Sequence, residues 1–177
     1  MVPKFRAWDK DSKVMRSWKN LILEKDDGDD FWLIGYEESK NIVSYDHDQI
    51  LMQSTGLKGY MSDSYEDHEE KEVYRGDVID IFWEEWPMGY YQENHMIGVV
   101  DKDETGTAWI IKNAKYDFDT PEAIPSEIDG ISVSMSLPDA EDLEEIFLHN
   151  FNLTSSDITI LGNIYENPEL LEQAHEN

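Results

Sequence analysis

The sequence predicts a β-dominated fold, mainly strand with a little helix. Three observations carry this. Short apolar runs recur along the chain, turns rich in Gly and Asp separate them, and only two stretches carry helix-start signals. A hydrophobic fraction of 40%, with 6 Trp, 9 Tyr and 6 Phe, is enough to build a core despite the acidity of the chain.

The elements follow in order. Phe5 and Ala7, then Val14 and Met15, flank the polar turn Asp9–Lys13 and predict a hairpin. Leu21–Glu24, the turn Asp26–Asp30 and Phe31–Tyr36 read as strand, turn, strand, and their adjacent apolar residues imply burial on both faces. Ile42–Tyr45 and Gln49–Ser54 are further strands. Residues 61–72, polar, acidic and without periodicity, predict an exposed loop. Val78–Trp83, Ile97–Val100 and Ala108–Ile111 form a second strand block, with Gly76, Gly89, Gly98 and Gly106 at turns or bulges. Residues 117–137 read as a long excursion. A helix is expected over Pro138–His149, since Pro suits its first turn, acids favour its N-terminus, and Leu143, Ile146, Phe147 and Asn150 share a face. Ile158–Leu161 is a last strand, and Asn167-Pro168-Glu169 starts a short C-terminal helix. The expected organisation is an N-terminal β-hairpin subdomain (1–60), the acidic loop (61–72) and a β-barrel subdomain (73–177).

Charge narrows the function classes. The formal net charge is −26. Residues 1–20 hold six basic side chains against two acids, whereas 116–177 hold fifteen acids and no Lys or Arg. Such a surface repels nucleic acid and anionic membranes, so neither is expected as a direct partner, and it favours basic proteins. The absence of Cys excludes disulfides, thiolate metal sites and Cys nucleophiles. No run of about 18 apolar residues and no apolar leader stretch occurs, which predicts a cytoplasmic protein.

Catalytic chemistry finds little support. His47, His68, His95, His149 and His175 lack the spacings by which zinc or iron sites gather ligands, and no metal or cofactor is expected. The sequence contains no GxSxG elbow, P-loop or GxGxxG. Asp77 follows a turn glycine, where a carboxylate ordinarily accepts from local backbone N–H groups. No residue is singled out as catalytic. Aromatics are more suggestive. Trp83, Trp86, Tyr90 and Tyr91 cluster around Pro87 and Gly89 between two strands, and either core packing or a contact surface accounts for them. Phe5 and Trp8, within the basic N-terminal segment, are the other candidate contacts.

Three segments resemble the YopX-like family of phage and prophage proteins: KFRAWDKDSKVM (Lys4–Met15), the pair LMQSTGLKG (Leu51–Gly59) and KEVYRGDVI (Lys71–Ile79), and LGNIYENPELLE (Leu161–Glu172). The resemblance implies a β-rich protein of a bacterial host cytoplasm and carries no settled activity. Gly76-Asp77-Val78-Ile79 followed by Gly98-Val99-Val100 is similar to the opening of an SH3-like barrel, an analogy of fold alone.

The leading expectation is a non-enzymatic interaction protein, forming a homo-oligomer or binding a basic host or phage protein, with exposed Phe5 and Trp8 supplying self-association. An acidic DNA mimic is the alternative. Spread over an expected surface of ~8,900 Å², 26 net charges give about one per 340 Å², against roughly one per 100 Å² for a DNA duplex. Mimicry therefore requires about threefold concentration on one face. An enzyme acting on an unknown substrate stands third.

Overall fold

A computed structural model of the chain describes residues 4–17, 19, 21–25, 32–36, 42–45, 49–62, 69–86, 89, 91–118, 127–128, 131–132 and 146–170. The first hairpin forms where the sequence places it. β1 (Phe5–Asp9) pairs antiparallel with β2 (Val14–Arg16). Asp9 sets the turn, because its carboxylate accepts from the N–H groups of Asp11 and Ser12, both at 3.0 Å. β3 (Leu21–Lys25), β4 (Trp32–Tyr36) and β5 (Ile42–Tyr45) make a separate three-stranded meander. The turn expected at 26–30 lies outside the described residues.

β6 (Gln49–Met61) is much longer than its apolar stretch suggests, and it pairs with β1 along its first half. It also pairs with β7 (Lys71–Tyr74), from Ser54 opposite Tyr74 to Gly59 opposite Lys71, with a register shift between Ser54 and Lys58. Lys71 and Glu72, expected in the acidic loop, are therefore strand, since ladder pairing with β6 satisfies their backbone. Residues 63–68 lie outside the described residues.

β8 (Asp77–Glu85), β9 (Gln92–Lys102) and β10 (Trp109–Phe118) follow as an antiparallel meander. β11 (Glu127–Ile128) and β12 (Ile131–Ser132) pair with each other within the expected excursion. β13 (Ile146–Phe147) pairs with β10, and β14 (Ile158–Asn163) lies between β8 and β6, antiparallel to the first and parallel to the second. The main sheet thus runs β13-β10-β9-β8-β14-β6-β1-β2, with β7 also on β6. It takes strands from both sides of residue 61.

Two expectations need correction. Among the described residues the mixed sheet is open, running from β13 to β2, and not a closed barrel. The C-terminal strand inserts between β8 and β6, which extends one sheet across the chain. The helix expected over Pro138–His149 is absent where it is described. Ile146 and Phe147 pair with Ile111 and Ile110, and Leu148–Asn150 form a 3-10 turn. Burial alternates there, Ile146 and Leu148 inward, so strand pairing overrides the helical spacing. Residues 138–145 lie outside the described residues. The short C-terminal helix is present at Glu169 and Leu170, and its remainder falls outside them.

The core gathers Val73, Ile79, Ile81, Met96, Val100 and Ile111 with Ile146, Leu148, Ile158 and Ile160. β8 shows how the core gives way to the surface. Asp77, Val78 and Ile79 are buried in succession, and Glu84 and Glu85 at the other end are exposed. No helix among the described residues is long and apolar enough to cross a membrane.

Candidate functional site

The β8–β9 hairpin carries the aromatic cluster. Its register sets Phe82 opposite His95, Trp83 opposite Asn94, Glu84 opposite Glu93 and Glu85 opposite Gln92. Directly opposed residues share a face, and successive residues alternate faces. Trp83 therefore lies on the side of Ile79, Ile81 and Met96, where it packs against the core with its ring 5.6 Å from that of Phe151. Gln92 and Asn94 are buried on the same side, and the Gln92 amide donates to Asn94 Oδ1 at 2.8 Å.

The opposite face is acidic and aromatic. His95 Nδ1 stands 3.1 Å from the Asp80 carboxylate, and its ring lies 5.1 Å from that of Phe82. Glu84 and Glu93 stand directly across from each other, an unfavourable like-charge pair. The Tyr91 hydroxyl is 2.7 Å from a carboxylate oxygen of each. A phenol has one hydrogen, so it donates to only one carboxylate at a time. Both acids push the Tyr91 hydroxyl pKa upward. At the hairpin end Trp86 is 59% and Tyr91 44% exposed, with ring centroids 5.5 Å apart. Among the described residues no Lys or Arg forms an ion pair with Glu84, Glu85 or Glu93.

A groove of about 710 Å³ runs beside this end of β8. Phe82, Glu84, Glu85 and Trp86 line one wall, and Phe151 and Leu153 line the other. It exists because β14 accompanies β8 no further than Ile81, whereas β9 continues beside it to Glu85.

Of the six aromatic candidates, the structure brings together Trp86 and Tyr91, whereas Trp83 lies on the opposite face and packs against the core. Tyr90 lies outside the described residues. Phe5 is half-buried. Trp8 is only 7% exposed, because β1 lies between β2 and β6, so its expected exposure is corrected. The basic segment also finds acids within its own chain: Lys4 pairs with Glu72 at 2.5 Å, and Arg6 with Asp77.

That second pair anchors a polar cluster that sequence reasoning found only in part. The Asp77 carboxylate accepts from the Tyr74 N–H at 2.8 Å, the backbone role expected of it. It also accepts from Arg6 and, at 3.1 Å, from Asn163 Nδ2. Arg6 lies over the Tyr74 ring, 4.7 Å from its centroid. These side chains border a cleft of about 590 Å³ whose apolar wall includes Met15 and Ile160. The cleft draws on all three of the segments by which the sequence resembles its family, although Arg6, Asp77 and Asn163 are up to 157 positions apart. Nothing local in the sequence pairs them.

His47, His68 and His175 lie outside the described residues, and His149 is exposed beside Phe147. Among the described residues no three His, Asp or Glu side chains converge to hold a metal ion.

Two carboxylates, the half-buried Asp101 and the buried Asp77, respond to pH in opposite senses. Burial would raise the Asp101 carboxyl, but hydrogen bonds from Lys112, the Lys102 N–H and Arg75 outweigh it and hold it below its ordinary value. Its folded-state pKa is thus depressed, so its stabilisation is present above about pH 4 and lost as pH falls further. Burial pushes Asp77 up, against Arg6, the Tyr74 N–H and Asn163. Its contribution is fullest at acid pH and declines as pH rises through its folded value. Asp101→Asn is therefore expected to lower stability at neutral pH and to shrink the loss between about pH 5 and pH 3. Urea unfolding at each pH checks this.

The model of the YopX protein family matches residues 4–128. That range includes Arg6, Asp77 and the β8–β9 hairpin, and it ends before Asn163. The crystal structure of protein EF1440 from Enterococcus faecalis is similar, with 21% identity and a TM-score of 0.41, covering 97% of this chain and 99% of that one. No curated protein matches the chain.

Proposed function

The chain belongs to the YopX family, and from that premise we propose a non-enzymatic interaction protein that contacts a second protein through the outer end of the β8–β9 hairpin. The observation that carries this reading is the exposed, mutually packed pair Trp86 and Tyr91. Large aromatic side chains left in water are the anchors from which interfaces draw most of their binding energy. The acids around them favour a basic partner and disfavour nucleic acid. The N-terminal segment is the weaker candidate, since Trp8 is covered and Lys4 and Arg6 have partners in the same chain. Asp77, the most deeply buried acid among the described residues, holds strands together, a structural use that favours a binding role over catalysis.

Replacing Trp86 and Tyr91 together with Ala tests the reading. Both are exposed, so stability is expected to change by no more than about 0.5 kcal/mol. Partner capture from cell lysate, or self-association in sedimentation equilibrium, is expected to disappear. Unchanged association in the folded double variant would exclude this surface.

A further inference from the structure

We infer that the partner supplies an extended segment carrying Lys or Arg, which lies along β8 beyond Ile81 as an added strand. This inference rests on the reading of the hairpin end as an interaction surface and names what occupies it. Two independent features select the occupant. The first is backbone geometry: β14 stops at Ile81, so among the described residues β8 has a neighbouring strand on one side only at Phe82, Glu84 and Glu85. The groove of about 710 Å³ lies along that stretch of β8. A strand with one open side is a template for an extended peptide, whose main chain supplies affinity while alternate side chains supply selectivity.

The second feature is charge. Glu84 and Glu93 oppose each other across the hairpin and compete for the single Tyr91 hydrogen. Glu85 lies on the other face, where its carboxylate accepts from the Trp83 ring N–H at 2.8 Å, so the acidic site is that of Glu84 and Glu93. A Lys or Arg side chain placed there relieves the repulsion and supplies the missing donors. The exposed faces of Trp86 and Tyr91 then receive the cation or its alkyl stem. The protein makes the same kind of contact internally, with Lys102 Nζ 3.6 Å from the centroid of the Trp109 ring. An anionic or uncharged segment gains none of this.

Fluorescence anisotropy on the full chain tests the inference with three labelled short peptides. One alternates Lys and Val, the second has Gln for each Lys, and the third repeats the first with every backbone nitrogen methylated. The Lys peptide is expected to bind, and each of the other two to bind about tenfold more weakly or worse. Glu84→Gln with Glu93→Gln, and separately Trp86→Ala, are expected to weaken the Lys peptide by a similar factor, with unchanged melting curves showing that each variant is folded. Binding of the Gln peptide as tight as that of the Lys peptide overturns the charge selection. Equal binding of the methylated peptide overturns strand addition, and absence of Lys-peptide binding overturns both. If association with a protein partner still requires Trp86 and Tyr91 in those cases, the interaction surface stands and only its occupant is wrong. If association ignores that double substitution, the underlying reading itself fails.

Discussion

Replacing Arg6 with Met is expected to destabilise the fold by about 3–5 kcal/mol, the usual cost of stranding one member of a buried ion pair. Asp77 is 1% exposed and relies on Arg6 for its opposite charge. Without the guanidinium, the carboxylate remains in a site where the Tyr74 N–H and the Asn163 amide still favour ionisation but no cation does. The group will then take up a proton at higher pH than in the wild type. A raised folded-state pKa means that the native state binds more protons than the unfolded chain, so stability falls as pH rises. The deficit relative to wild type should therefore be larger at about pH 8 than at about pH 5. Urea unfolding at the two pH values measures it, and an equal deficit at both would show that Arg6 acts through packing on Tyr74 and not through charge. Adding Asp77→Val should recover part of the loss, because no charge is then stranded. Recovery will be incomplete, since the Tyr74 N–H and Asn163 lose their acceptor.

Gly98→Ala is expected to cost about 1–3 kcal/mol or more, through overpacking in the middle of the sheet. Lys112 of β10 pairs with Val99 and Lys115 with Ile97, so two residues of β10, Asn113 and Ala114, face Gly98 alone. This is a β-bulge, and Asn113 has a φ of 53° within it. The bulge brings β10 over the glycine. A β-carbon at Gly98 would lie 2.3 Å from Ile111 Cγ2 and 2.9 Å from the Lys112 carbonyl oxygen. The first contact belongs to a side chain and the second to the backbone, which cannot rotate aside. Ile111→Ala in the Gly98→Ala background should thus rescue only part of the loss. A double-mutant cycle in urea isolates the coupling, and full rescue would show that the carbonyl contact is harmless.

Local pattern carried much of this fold. The Asp9–Lys13 turn, the strands at Leu21, Trp32 and Ile42, and the β8–β9–β10 meander each follow from apolar runs punctuated by Gly, Asp and Asn. The backbone role of Asp77 was also legible, because its Tyr74 N–H donor is three residues away. The helix over Pro138–His149 failed where it is described for a matching reason. Ile146 and Phe147 suit either period, and the open edge of β10 decided between them. The aromatic hairpin end was visible as composition, but its two faces were not. Trp83 and Trp86 look alike in the sequence, and only the register with β9 turns Trp83 inward while the hairpin end leaves Trp86 in solvent.

By itself, then, the sequence determined what depends on near neighbours: β-dominance, most turns, the strong acidity and the family likeness. Tertiary structure alone decided what depends on distant segments meeting. It inserted β14 between β8 and β6, stopped it at Ile81, and closed Arg6, Asp77 and Asn163 into one cluster. The physical reason is that a strand's side-chain pattern specifies which faces are buried but not which strand lies beside it. Partner choice is settled by packing and hydrogen bonding across the whole sheet, and it is that choice which covers Trp8 and leaves Trp86 and Tyr91 exposed beside the groove.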